Sequence, residues 1–404
     1  MRYPGVANRR AFRLVHVMTV AKSLGFLRGQ IGFMKERGVE VSAIASPDDG
    51  LEAFGRLEGI RTYAVEMPRR ITPVRDVVAL ARLWRRLRRL RPDIVHAHTP
   101  KGGLLGTVAA ALAGVRIRIY HIHGLPLLTA KGYRKSLLRW SEAAACRFAT
   151  EVWCVSFSVR DEAVREGLCP STKIRVLRSG SINGVDGREA FNPDRVGRAE
   201  GAEVRRAWGI DAGAPVVGFV GRIVRDKGVR ELLEAWSLVR DRVPKARLMV
   251  VGDFEDQDSP GADAIEALKM DRSICLAGRV TSGMARFYAA MDVLALPTYR
   301  EGFPVTVMEA ASMGLPVVAT RVPGCVDAVQ DGVTGTLVPA RDAEALADAL
   351  GRYLLDQELR REHGAAGRAR MMRDFGQAEM WAEVHAQYER LLQGSGSGGV
   401  AVCQ

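Results

Sequence analysis

The stretch Tyr299-Arg300-Glu301-Gly302-Phe303-Pro304-Val305-Thr306-Val307-Met308-Glu309-Ala310 decides how this chain reads. It follows an apolar run, Val293–Leu296, with the character of a buried strand. The fixed φ of Pro304 suits the first position of a helix, where its missing N–H costs nothing. Gly302 allows another group close to the backbone. The spacing therefore predicts a helix N-terminus with free amides, a place for a phosphate. Glu309 would lie on that helix and face back toward the same mouth as Glu301. An anion held by amides, with two carboxylates to grip hydroxyls, is what a nucleotide-sugar requires. The plainer alternative is a capped helix after a core strand.

A second phosphate signal stands upstream in Val216–Gly228, VVGFVGRIVRDKG. A strand-like run ends at Gly221, Arg222 and Lys227 follow, and an amphipathic pattern continues through Leu232, Leu233, Ala235, Trp236 and Leu238. Basic side chains at the two ends of a strand-to-helix loop can clamp a diphosphate. Arg supplies a planar fork and Lys a mobile point charge.

These two segments resemble the C-terminal half of the family-4 retaining glycosyltransferases, which have the GT-B fold. The specific match runs from about Val216 to Ala340, and a looser one covers nearly the whole chain. The resemblance implies that Arg222 and Lys227 bind the donor diphosphate, that Glu301 lies by the donor sugar, and that Glu309 holds the ribose hydroxyls. It also implies backbone amide contacts to phosphate around Phe303–Val305, with Gly302 and Pro304 part of the same donor-binding loop. LMVVGDF (248–254) and CLAGRV (275–280) match the strands framing the base, and Asp292-Val293 and GLPVVAT (314–320) fit the same pattern. One departure is VPGCVDAV (322–329), where Pro323 and Asp327 replace a Gly and a Glu of the usual Gly-Gly-x-x-Glu.

At 404 residues the chain exceeds one ordinary core. Its 47% hydrophobic and 26% charged content is that of a globular protein. The six cysteines show no paired spacing and read as reduced thiols of a cytoplasmic protein, without a metal. No apolar run has a membrane span's length, and MRYPGVANRR lacks the apolar core of a signal peptide.

The net charge of +13 is uneven. Residues 1–185 carry 32 Lys and Arg against 14 Asp and Glu, a balance of +18, whereas the remainder carries 27 against 32. Much of the excess lies in Arg69–Arg91, where Val78, Leu80, Leu83, Trp84, Leu87 and Leu90 form an apolar stripe between arginines. Such a helix can lie on an anionic bilayer, or it can pack its leucines inward and solvate its arginines. No aromatic platform accompanies the charge, so nucleic acid is not an expected partner.

Apolar runs alternate with helical patterns, which predicts an α/β chain of two Rossmann-like doubly wound domains, the GT-B arrangement facing a central cleft. The expected strands of the first domain are 12–18, 39–46, 94–98, 117–124, 152–156 and 173–177. Its helices are expected near 26–37, 51–57, 74–90, 103–113, 134–149 and 158–166. The expected divisions are an acceptor-binding domain at 1–185, a linker at 186–214 and a nucleotide-sugar domain at 215–375. A helix at 376–393 would return to the first domain, ahead of a disordered tail at 394–404.

In the first domain His123 closes the run IRIYHIHG at a strand's carboxyl end, where open α/β sheets place their ligands. The resemblance sets a His there beside the donor sugar. His98 and Lys101, after the strand 94–98, are candidates for an acceptor phosphate, and Gly25, in the first βα loop where the resembling family carries a glycine-rich turn, is a third candidate for binding the acceptor. His96 and His121 are expected to point elsewhere, into packing, and Asp186 to cap a turn of the linker.

The expected reaction moves a sugar from a nucleoside diphosphate, a UDP-sugar above all, to a hydroxyl acceptor with retention at the anomeric carbon. Arg222, Lys227 and the amides near Phe303 would stabilise the leaving diphosphate as preorganised groups. No metal or cofactor is expected. VHAHTPKGGLLG…YHIHG resembles enzymes that build bacterial capsular and O-antigen glycans on polyprenyl diphosphate. The expected acceptor is therefore a lipid-linked glycan, with the protein peripheral on the inner face of the cell membrane. Rival readings are transfer to a soluble small molecule or polymer, a GT-B-fold UDP-sugar epimerase, and a non-catalytic nucleotide-sugar-binding scaffold on membranes.

Overall fold

The computed structural model describes residues 11–70, 72–255 and 258–394. Among the described residues, chain packing separates two compact units, one within 11–183 together with 378–394 and the other within 184–377. The tail expected to be disordered lies, from residue 395 on, outside the described residues.

The first unit is built on β1 (Arg13–Val20), β2 (Glu40–Ser46), β3 (Arg61–Ala64), β4 (Ile94–His98), β5 (Ile117–Ile122), β6 (Glu151–Cys154) and β7 (Ile174–Val176). They form a parallel sheet in the order β3-β2-β1-β4-β5-β6-β7, so the winding direction reverses between β1 and β4. β1 and β4 are buried nearly throughout, as both-face coverage by helices demands. The sequence reading omitted β3, a short and partly exposed edge strand. The helix expected near 26–37 is instead a 3-10 turn, Ala21–Leu27, and a short helix, Gln30–Lys35, separated by Gly29 at φ 77°.

The basic helix Pro73–Leu90 buries Ala79, Leu83 and Leu87 against the core and leaves Arg82, Arg85, Arg88 and Arg89 exposed. Its leucine stripe is core packing. The C-terminal helix Gln377–Gly394 belongs to this unit almost entirely. Trp381 donates to Asn183 Oδ1 at 2.6 Å, and Tyr388 is fully buried among the sheet's aromatic rings.

The second unit contains β8 (Val216–Val220), β9 (Arg247–Val251), β10 (Ile274–Gly278), β11 (Val293–Leu296), β12 (Val317–Thr320) and β13 (Gly335–Val338). Their order, β10-β9-β8-β11-β12-β13, reverses between β8 and β11. The stretch expected as a linker, 186–214, clusters with this unit and contains the helix Arg198–Ala207. Arg205 of that helix pairs with Asp292 Oδ2 at 2.8 Å, and the same oxygen accepts from the Val216 amide at 2.7 Å. That carboxylate holds the helix to the starts of β8 and β11. The Asp186 side chain does cap a turn, accepting from the Glu189 amide at 3.0 Å.

Candidate active site

In an open doubly wound sheet the ligand crevice lies outside the carboxyl ends of the strands, where the winding reverses. In the second unit that point is the pair of loops after β8 and β11. Asp226, in the turn Arg225–Lys227, fastens them together: its carbonyl accepts from the Tyr299 amide at 2.8 Å, and its carboxylate from Arg300 Nε at 2.8 Å. Gly228 follows at φ 68°, and a Cβ there would stand 1.9 Å from the Pro297 carbonyl oxygen. Only glycine permits so close a seat.

Between these loops Lys227 Nζ meets Glu301 Oε1 directly, with both side chains largely buried. The buried Cys325 thiol lies beside them, its pKa pushed up by burial and by the Glu301 charge. Arg222, more exposed, is held by Glu255 Oε2 at 2.7 Å.

The helix after β11 is Val305–Ser312, and Pro304 is its N-cap rather than its first residue. The Pro304 carbonyl already accepts from the Val307 and Met308 amides while its own backbone is extended, at ψ 109°. No side chain caps that first turn. Phe303 is buried with its ring 5.0 Å from that of Phe375, and Gly302 is buried beside it. Gly324, at φ 82°, is forced to be glycine because a Cβ would lie 2.4 Å from the Gly302 carbonyl oxygen. Where the sequence departs from the usual Gly-Gly-x-x-Glu, the glycine that remains is thus the one packed on the Glu301-Gly302 turn.

Glu309, one helical turn on, accepts from the Tyr288 hydroxyl at 2.8 Å. Burial raises its pKa to about 7, against the opposing effect of the Tyr288 bond. The sequence reading missed Tyr288 and Asp226. Tyr288 lies outside the segments that carry the motifs, and Asp226, although it stands beside Lys227 within one of them, acts through a tertiary contact.

At the carboxyl edge of the first sheet five histidines form one cluster. His16 Nδ1 and His98 Nε2 share a hydrogen bond of 2.9 Å, and His98 Nδ1 and His123 Nε2 one of 3.0 Å. A second chain links His121 Nδ1 to His96 Nε2 at 3.2 Å and His96 Nδ1 to the Tyr388 hydroxyl at 2.7 Å. The expectation that His96 and His121 point away from His98 and His123 is corrected. Residues two apart on a strand share a face, and the His96 and His98 ring centroids are 4.1 Å apart. Burial lowers the pKa of His16 to about 3 and of His123 to about 4, and drives those of His96, His98 and His121 well down, helped by neighbouring histidines. The cluster is neutral at ordinary pH.

His123, one residue beyond β5, is only partly buried and stacks on Phe26. His98 is fully buried, with both nitrogens engaged by imidazoles, so it supports His123 and does not face an acceptor phosphate. Lys101 is likewise committed, to Asp76 Oδ1 at 2.8 Å and to the Arg70 carbonyl. Gly25 lies in the 3-10 turn, where a Cβ would meet nothing within 4 Å, and Leu24 beside it is buried. Thr99, at φ 64°, is strained for a β-branched residue. It ties the end of β4 to β1 through Thr19 Oγ1 at 2.8 Å. The triads His16, His96, His98 and His98, His121, His123 have nitrogens within 4.8 Å of one another, the spacing a metal ion would use, although several of those nitrogens already bond to each other.

A family model described as "Glycosyl transferases group 1" matches residues 214–356, and one described as "Glycosyl transferase 4-like domain" matches residues 27–180. The chain belongs to this family of glycosyltransferases, enzymes that use nucleotide sugars, and its two parallel-sheet units are those of the GT-B fold. Among its relatives is the capsular polysaccharide biosynthesis glycosyltransferase CapM of Staphylococcus aureus, 31% identical over 95% of this chain and 98% of the relative. Another is the UDP-Gal:alpha-D-GlcNAc-diphosphoundecaprenol alpha-1,3-galactosyltransferase of Escherichia coli, 27% identical over 77% of each chain. A similar solved structure is Anabaena Alr3699/HepE in complex with UDP and glucose, with TM-score 0.78 and 18% identity, covering 94% of this chain and all of that one.

Proposed function

We propose that the protein transfers a sugar from a UDP-sugar to a hydroxyl of a polyprenyl-diphosphate-linked glycan in bacterial surface polysaccharide synthesis, with retention and without a metal, at the inner face of the cell membrane. The observation that carries the donor half is the buried Lys227–Glu301 pair beside an uncapped helix N-terminus at the reversal between β8 and β11. The E. coli relative, whose name includes both UDP-Gal and a diphosphoundecaprenol acceptor, and the near full-length likeness to CapM support the UDP-sugar and the lipid-linked acceptor.

In this reading Arg222 leaves Glu255 and, with Lys227 and the first-turn amides of Val305–Ser312, neutralises the departing diphosphate. The bond from the anomeric carbon to the β-phosphate oxygen breaks, a bond to the acceptor oxygen forms, and the acceptor proton passes to the phosphate. Cations and amide dipoles fixed beforehand stabilise the charge as it develops, the physics of an oxyanion hole. Glu301 orients the sugar, Glu309 the ribose, and neutral His123 the sugar's hydroxyls.

The test is nucleotide release from UDP-, GDP- and ADP-sugars, with and without bacterial lipid extract and with excess EDTA. Release that selects a UDP-sugar, rises with lipid, persists in EDTA and disappears in Glu309→Ala supports the proposal. Release indifferent to lipid moves the acceptor to a soluble molecule. Binding without turnover leaves a scaffold.

A further inference from the structure

Surface helices normally place polar residues opposite their buried face. The helix Gly132–Phe148 breaks that rule. Its core side is Leu138, Glu142, Ala145 and Cys146, with Glu142 Oε2 accepting from the Tyr120 hydroxyl at 2.5 Å. At roughly 100° per residue, Tyr133, Leu137 and Trp140 fall within about 60° of arc on the opposite side. They are 86%, 38% and 66% exposed. The helix therefore has a second apolar face that nothing in its unit covers.

A neighbouring element repeats the pattern. The first turns of Pro73–Leu90 expose Val74 (79%), Val77 (66%) and Val78. Both helices pack along Pro100–Leu112, which puts them on one side of the sheet. Each follows a parallel strand, β3 and β5 respectively, so both exposed apolar clusters lie toward the carboxyl edge, the edge that carries His123. Scattered exposed apolar residues need no explanation, whereas clusters of them with a basic surround mark a contact surface.

The charge around them selects the partner. Arg134 and Arg147 border the Tyr133–Trp140 stripe, Lys131, Lys135 and Arg139 add positive charge elsewhere on the same segment, and the helix has no acidic residue except the buried Glu142. Glu166 pairs with Lys135 and Arg139 from the next helix and leaves the basic excess in place. Trp and Tyr favour the boundary between headgroups and acyl chains, and Lys and Arg extend toward anionic headgroups. We propose that this face docks on an anionic lipid bilayer, with Tyr133, Leu137 and Trp140 entering the interface and Val74, Val77 and Val78 resting on it. The inference rests on the reading that the acceptor is lipid-borne. It differs from the reading of the arginine-rich stripe, whose leucines are core.

The experiment is flotation of the full chain with phosphatidylglycerol-containing vesicles and with phosphatidylcholine vesicles, together with quenching of tryptophan fluorescence by brominated lipid. The expected result is strong flotation on anionic vesicles only, weakened but not abolished by salt. The combined Tyr133→Ser, Leu137→Ser, Trp140→Ser variant should lose at least tenfold in partitioning, and Trp140→Phe alone should lose most of the quenching. These side chains are exposed, so the variant should keep its circular dichroism and its lipid-free donor hydrolysis. Equal flotation of the variant and the wild type would overturn the proposal. So would a change in sedimentation coefficient without a change in flotation, which would make the face a contact with a second copy. Flotation uses no sugar and no acceptor. A lipid-docking enzyme that glycosylates only soluble acceptors would therefore refute the acceptor reading while leaving this one intact.

Discussion

Lys227 and Glu301 are bonded to each other although 74 residues separate them in sequence. The pair gives the carboxylate a cation before any donor arrives, and it holds the ammonium where a diphosphate would need it. Removing one partner leaves the other charge buried and uncompensated. Lys227→Met should lower kcat/KM for the donor by roughly 10²- to 10³-fold, the cost of losing one preorganised charge at a leaving group. Glu301→Gln should cost a comparable factor, and the double variant much less than the product, because each single change already breaks the pair. Independent, multiplicative losses in steady-state kinetics would show that the pair does not act as a unit.

Glu309 supplies a pH dependence. Burial raises its pKa to about 7, so it is protonated on the acid side of that value and ionised above it. Only the carboxylate accepts strongly from two ribose hydroxyls. Donor KM should therefore rise as pH falls through about 7. Tyr288→Phe removes the hydrogen bond that opposes the rise, and should move the midpoint upward. Glu309→Gln should raise KM at every pH and flatten the profile. A wild-type KM unchanged between pH 5.5 and 8.5 would refute the assignment.

His98 should act through His123. With a pKa near 4, His123 stays neutral over the working range and contributes no inflection there. His98→Ala removes its hydrogen-bond partner and opens a polar space to water. We expect kcat to fall roughly 10²-fold from misplacement of the ring, with donor KM nearly unchanged. Rehydration should also bring the His123 pKa back toward the ordinary value of about 6.5, and a new acid limb should appear in the kcat profile. A uniform loss at all pH values, without that limb, would reduce His98 to packing.

What the sequence made legible follows from how local each signal is. Buried strands such as 216–220 and 293–296 are continuous apolar runs, and the Glu301–Glu309 turn is one contiguous segment, so both read directly. The helix Arg198–Ala207 went unread because turn-rich residues precede it and a distant carboxylate, Asp292, holds it in place. Tyr288 and His16 reach the sites only through sheet order and tertiary contacts. His16 pairs in register with His96 across the β1–β4 reversal, a relation that no pattern within either segment reveals. The basic stripe at 78–90 carried two readings because amphipathicity alone cannot tell a core face from a docking face. The exposed stripe of Gly132–Phe148 was hidden by the same ambiguity, since its apolar residues look like core until the packing is known.

The donor loop is also open to a test that leaves every charged group in place. Gly228 sits at φ 68° with Pro297 against its Cα, and that contact presses the turn carrying Lys227 onto the end of β11. Gly228→Ala introduces a left-handed alanine, costing about 1–2 kcal/mol, and drives its Cβ into a backbone carbonyl that cannot rotate away. The loop must then lift, taking Lys227 from Glu301 and Asp226 from Arg300. Calorimetry should show a lower transition for the second unit. Donor binding should weaken at least tenfold even though Arg222, Lys227, Glu301 and Glu309 are all intact. If Gly228→Ala binds the donor as the wild type does, the close seat on Pro297 is not what sets the geometry of the diphosphate clamp.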